Sequence, residues 1–183
     1  MIAVRAKARI MDGMVPSGVA DVAPWTDWLS AAEAALRFLH GYAGWDVWVV
    51  THVDGDRQIV VRAFPEDVVR PGTELPWARS FCRQMIEGNA PRVATVTAAV
   101  PEYASRASGP IRDIAAYVGV PLVTADLELF GTLCGVAFRA KPRSAARELP
   151  LVEMTARMLN TLLASDLPGP TARDYAGAVS HLG

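Results

Sequence analysis

The chain has 183 residues, 51% of them hydrophobic and 20% charged, which suits one globular domain with a sizeable core. Its 18 Lys and Arg nearly cancel 19 Asp and Glu, leaving a formal charge of −1, so nothing electrostatic favours nucleic acid or an anionic membrane as partner. No apolar run is long enough to span a bilayer, the opening MIAVRAKARI lacks a signal-peptide core, and two cysteines without a CxxC spacing read as reduced cytoplasmic thiols.

In chain order, residues 1–24 carry Pro16 and Pro24 and no sustained period. They read as an arm, with one short strand expected at Ile2–Ile10. Residues 25–167 are the expected domain. From Trp25 to Tyr42, apolar residues recur at Trp25, Trp28, Leu29, Ala32, Ala35, Leu36 and Leu39, the spacing of a helix that Gly41 and Gly44 close. The period then falls to two in WDVWVVTHV, Trp45–Val53. Asp54-Gly55-Asp56 suits a tight hairpin, and RQIVVRAF, Arg57–Phe64, runs back as the partner strand. Prolines and Gly72 mark Pro65–Pro76 as a loop.

WARSFCRQMIEGNAP then predicts a short helix, with Trp77, Phe81 and Met85 at four-residue spacing and Gly88-Asn89 closing it. RVATV, Arg92–Val96, reads as a short strand and Pro101–Ala107 as a helical turn. Two further strands are expected at Ala115–Leu122 and Leu129–Arg139. The last expected helix, Ala146–Leu167, carries Leu151, Met154, Met158 and Leu162 as one stripe and Val152, Leu159 and Leu163 as another. Pro168-Gly169-Pro170 ends it, and residues 168–183 are expected to be a flexible tail. This order predicts an α+β fold: a central antiparallel sheet with the terminal helices on one face and short helices and loops on the other.

Two chemical readings exist for Cys82, beside Arg83. It is either a reactive thiolate lowered by the cation and a helix N-terminus, or a small buried hydrophobe. The second is preferred, because no histidine lies near in sequence to serve as base. Cys134, mid-strand, reads as packing. His52 alone, without a second ligand, does not make a haem or metal site. Tyr103, Arg112, Asp113 and Tyr117 cluster around one loop, where they could hold a small polar ligand or equally cap that loop. No nucleophile–base–orienter set, phosphate loop or metal motif is visible, so no catalytic residue and no metal ligand is assigned.

SFCRQMIEGNAPRVATV, followed by AAYVGVPLVTADLELFGTLCGVAF and a long terminal helix, resembles the GAF domains of bacterial signalling proteins. Many of those are joined to a GGDEF cyclase, a kinase or another output module. The resemblance covers Trp25–Leu167. It implies that the second motif forms two central strands joined by a hairpin, with Gly131 closely packed and Pro121 ending a strand. It also implies a ligand pocket between the sheet and the short helices.

Departures are equally specific. Leu127 stands where the family often has glycine, and Thr97 and Ala98 stand where it often has an acidic residue. The cyclic-nucleotide NK…F…DE motif, the bilin-attaching cysteine and the haem histidine are missing from their places. The free methionine-sulfoxide reductases of this fold carry a cysteine near Ile114–Ala116, where this chain has alanines. The resulting expectation is a non-catalytic sensory or regulatory domain that binds a small molecule of unknown identity, with no cofactor named. The expected ligand-binding residues are Phe64, Trp77, Phe81, Cys82, Tyr103, Arg112 and Tyr117. The chain is expected to be a homodimer through Trp25–Leu39 and Leu151–Leu163, and to signal through its terminal helices to an output protein. A redox enzyme using Cys82 and a dimerisation scaffold without ligand are the alternatives.

Overall fold

The computed structural model describes residues 22–175, so the expected strand at Ile2–Ile10 and most of the arm lie outside the described residues. Helix α1 spans Trp28–Ala43. It starts three residues later than the apolar spacing suggests because Asp27 is the N-cap: its carboxylate accepts the Ser30 amide at 2.7 Å. Gly44, at φ +62°, ends it in the left-handed conformation.

Six strands follow: β1 Val47–Asp54, β2 Arg57–Phe64, β3 Glu74–Pro76, β4 Val93–Ala94, β5 Ala116–Val123 and β6 Leu129–Ala137. They form one sheet in the order β3-β2-β1-β6-β5-β4, antiparallel at every step. Both hairpins read from the sequence are present. Strand β3 is an addition inside the expected loop, formed because Glu74–Pro76 lies beside the start of β2. Pro121 does not end its strand, since β5 continues to Val123. The Gly119 amide donates to the Arg92 carbonyl at 2.8 Å, so Pro121, two residues on, turns its nitrogen to that same edge, where β4 has already stopped. No ladder hydrogen bond is lost there.

The expected helix from Trp77 divides. Trp77–Arg79 is one 3₁₀ turn, and α2 spans Phe81–Ile86, with the Ser80 hydroxyl accepting the Arg83 amide as its cap. Helix α3 is a single turn, Pro101–Ala104. The last long helix likewise divides into a 3₁₀ segment, Arg143–Glu148, and α4, Leu149–Leu163. Pro150 fixes that boundary, because a residue without an N–H is tolerated only in the first turn.

Two hydrogen bonds join the first part of the expected tail to the domain. The Pro168 carbonyl accepts the Trp28 amide at 3.0 Å, and helix α5, Ala172–Tyr175, offers the Asp174 carbonyl to Arg62. The remainder of the expected tail lies outside the described residues.

Helices α1 and α4 cover one face of the sheet, and it is filled. Trp28, Leu36, Leu39, Trp45, Trp48, Leu122, Leu133 and Leu159 are each at most 1% exposed. The Trp28 indole donates to the Leu159 carbonyl at 2.9 Å and the Trp45 indole to Glu148 at 2.6 Å, which ties Trp28 to α4 and Trp45 to the N-cap of α4. Gly135 lets the Trp48 ring lie on β6, since a Cβ there would come within 2.9 Å of it. Gly131 holds β6 against β1, because a Cβ would overlap the Thr51 carbonyl.

Candidate ligand cavity

The opposite face carries α2, α3, the Gly109–Ile111 turn and the loop between β2 and β3. Alternation puts Val49 and Thr51 of β1, Thr132, Cys134 and Val136 of β6, and Tyr117 and Gly119 of β5 on this side. An irregularity in the β1–β2 pairing between Val50 and Thr51 skips Val61, so Val60 faces the same side. Val61 packs into the helix-side core. The bulge thereby re-aims Gln58 and Val60, as such insertions do.

Short elements do not fill this face. They leave a cavity of about 270 Å³ walled by Val49, Val60, Val136, Leu75, Phe81 and Ile114, with Val68, Val69 and Phe138 at its mouth. At roughly 30 Å³ per water, that is room for about nine waters. Val49 and Val136, central in the sheet, are only half-buried because they face it. No Asp, Glu, Lys, Arg or His lines it.

One side of the cavity is polar. The Cys82 and Cys134 sulfurs lie 3.2 Å apart, and both residues are buried with free thiols. The Tyr117 phenol donates to Cys82 Sγ at 3.3 Å, and the Thr132 hydroxyl lies 3.3 Å from the same sulfur. The Cys134 thiol reaches Thr132 Oγ1 at 3.2 Å. Thr51 and Thr132 share a 2.7 Å hydroxyl contact, and the Gln58 amide donates to both, at 2.9 and 3.2 Å. Hydrogen bonding from Cys134 pulls the Cys82 thiol downward, while burial pushes Cys134 and Tyr117 well above their ordinary ranges.

Tyr117 reaches the thiols only because Gly119 lies beneath its ring; a Cβ there would overlap the phenol oxygen. Phe81, Tyr103 and Tyr117 pack as a trio with centroids 4.9, 5.2 and 5.8 Å apart.

Of the residues singled out in the sequence, Phe81, Cys82 and Tyr117 line the cavity. Tyr103 lies behind it, fully buried, its phenol donating to the Pro91 carbonyl. Trp77 packs at the edge of the same cluster without reaching the space. Arg112 points to solvent beside Asp113, because the preceding turn spends its inward position on Ile111. Phe64 is on the other face. It pairs in register with Trp48, meets His40 edge-on and lies under Arg37.

The residues that sequence reasoning missed are mainly Val49, Thr51, Gln58, Cys134 and the loop residues Val68 and Val69. Polar Thr51, Gln58 and Thr132 inside otherwise apolar strands were the available signal. Among the described residues no group of three or more His, Cys, Asp or Glu could hold a metal ion, and no helix is long and apolar enough to cross a membrane.

This architecture defines the class as the α+β GAF fold. No family model matches the chain, and no curated protein matches its sequence. Among solved structures, it resembles the free methionine-R-sulfoxide reductase of Neisseria meningitidis, determined with its substrate, at 20% identity and TM-score 0.60 over 79% of this chain and 82% of that one. It also resembles the GAF domain of an Acinetobacter phosphoenolpyruvate-protein phosphotransferase, at 14% identity and TM-score 0.58 over 79% and 87%. A GAF domain/HD domain protein of Geobacter sulfurreducens follows at 13% identity and TM-score 0.56 over 77% and 95%. These likenesses establish the fold, which both sensors and enzymes share.

Proposed function

We propose that this chain is a non-catalytic sensory domain whose cavity binds a compact, uncharged organic molecule. The cavity carries the reading: its size is near the lower end of small-molecule sites, and its walls are apolar with polar groups gathered at one side. An ion entering it would lose hydration without gaining a counter-charge, so a neutral ligand with one polar end suits it better. Thr51, Gln58 and the thiols would take that end, and Val49, Phe81 and Ile114 the apolar body.

Free methionine sulfoxide bears both an ammonium and a carboxylate, which this lining does not answer. That favours the sensory reading over a reductase using Cys82. Native mass spectrometry of freshly purified protein tests it: the wild type should carry a small adduct that Val49→Phe lacks. Turnover of methionine sulfoxide by the wild type, lost in Cys82→Ser, would overturn it.

Output is assigned to the terminal helices as a homodimer. Phe38, Tyr42 and Met154 are 53%, 73% and 64% exposed, and Trp25, Phe38, Leu151, Met154 and Met158 line a shallow apolar groove between α1 and α4. Such a patch marks an interface. Light scattering should give a dimer that Phe38→Glu dissociates; a wild-type monomer at micromolar concentration would remove this part of the reading.

A further inference from the structure

Cys82 and Cys134 stand 52 positions apart in the chain, one at the start of α2 and one in the middle of β6, yet their sulfurs are in contact. A disulfide places sulfurs about 2.05 Å apart, so closing the 3.2 Å contact takes a movement of about 1 Å. Both residues line the cavity, which gives a small reagent a route to thiols that are otherwise buried. Around Cys82 Sγ the hydroxyls of Tyr117 and Thr132 are arranged as donors, the arrangement that supports sulfur as an anion. Neither thiol is needed for the sheet's own hydrogen bonding, and a purely apolar pair would fill the same volume without drawing in Tyr117, Thr132, Thr51 and Gln58.

We propose that Cys82 and Cys134 form a reversible redox site in the wall of the cavity, oxidised to an intramolecular disulfide by a small hydroperoxide. In the first step the Cys82 sulfur attacks the terminal peroxide oxygen. An S–O bond forms, the O–O bond breaks, and the leaving alkoxide or hydroxide takes up the proton Cys82 released. In the second step Cys134 sulfur attacks Cys82 sulfur. The S–S bond forms, the S–O bond breaks, and the departing hydroxide takes the Cys134 proton and leaves as water. Two thiols and one hydroperoxide thus become one disulfide, one alcohol (or water) and one water. The sulfurs lose two electrons and the peroxide gains them. A soluble dithiol reverses the change by two thiol–disulfide exchanges. The bond draws α2 toward β6 and removes the Cys134 thiol proton that is donated to Thr132 Oγ1, which alters the polar wall of the cavity. The site needs the cavity as a passage and does not require that any ligand be bound there.

The test uses the full chain, reduced, freed of reductant and exposed to hydrogen peroxide, then alkylated with iodoacetamide under denaturing conditions and weighed intact. The expected product has lost two hydrogens, takes no alkyl group, migrates as a single chain on a non-reducing gel, and regains two alkylatable thiols with dithiothreitol. Cys134→Ser should halt at a Cys82 sulfenic acid that dimedone captures, and Cys82→Ser should leave Cys134 alkylatable. Val49→Phe, which narrows the passage and leaves both thiols in place, should slow wild-type oxidation several-fold; it serves if either cysteine variant fails to fold. Two alkylatable thiols surviving a peroxide dose that oxidises glutathione in the same tube would overturn the proposal. So would disulfides formed only between chains.

Discussion

The two faces of this sheet receive the same kind of strand and end in opposite conditions. Towards α1 and α4, large side chains interlock: Trp28, Trp45 and Trp48 are at most 1% exposed, and two of them bond to α4 or its N-cap. Towards α2 and α3, equally apolar strands border open space. Each face seats an aromatic ring on a glycine, Trp48 on Gly135 and Tyr117 on Gly119, so local fit is of similar quality. What differs is the cover. A long helix presents a continuous stripe of side chains to a sheet, whereas single turns joined by loops must spend polar backbone on themselves and cannot close over it. Dense packing is concentrated on one face and open space on the other.

The largest expected effect tests what the faces share. Gly131→Ala forces a methyl into the Thr51 carbonyl and must separate β1 from β6, so chemical denaturation should show a loss of about 3 kcal/mol or more. An unchanged midpoint would mean that the central strand pair yields, and the comparison would fail at its base.

Next, Trp28→Ala on the filled face should cost about 3–5 kcal/mol, the usual range for a buried aromatic. Phe81→Ala on the cavity face should cost roughly half as much, because part of the ring already faces open space. Equal losses would show the second face to be packed like the first.

Neighbouring valines give a sharper version. Val49 and Val50 are consecutive in β1 and point to opposite faces. Val50→Phe should overpack the helix side and cost about 1–3 kcal/mol, whereas Val49→Phe should enter the cavity and change stability by less than about 1 kcal/mol. Thermal unfolding of the two variants side by side measures the difference directly, and similar losses would indicate that the cavity cannot accept a ring.

The smallest effect lies off both faces. Leu127, at the tip of the β5–β6 hairpin, is 82% exposed and has φ +63°, where its Cβ crowds the backbone carbonyl. Leu127→Gly should raise stability by about 0.5–1 kcal/mol, with the relief of strain partly offset by the added freedom of the unfolded chain. A loss instead would assign the leucine a contact of its own.

Most of the fold was legible in the residues. The period-two runs of Trp45–Val53 and Arg57–Phe64, the Asp-Gly turn between them, and the helical stripe around Leu36 and Leu159 are local patterns, and each element formed close to its expected span. Boundaries shifted where one residue overrode the period: Asp27 as a cap, Ser80 as a second cap, Pro150 in a first turn. The site was legible only in part. Phe81, Cys82 and Tyr117 lie in segments whose inward faces follow from periodicity, but Phe64 was misplaced because its face is set by pairing with Trp48 across the strand. Arg112 was misplaced because the turn before it turns Ile111 inward.

The sequence by itself determined the elements, their order and the alternation of each strand, because hydrophobic period, capping and turn chemistry act over a few residues. Tertiary structure alone decided that a bulge would turn Gln58 toward the cavity, that a loop would supply Val68 and Val69 as its mouth, and that Cys82 would meet Cys134. Those outcomes join positions many residues apart through sheet register and the fit of short helices. Register is a property of paired strands, and no single stretch of chain contains it.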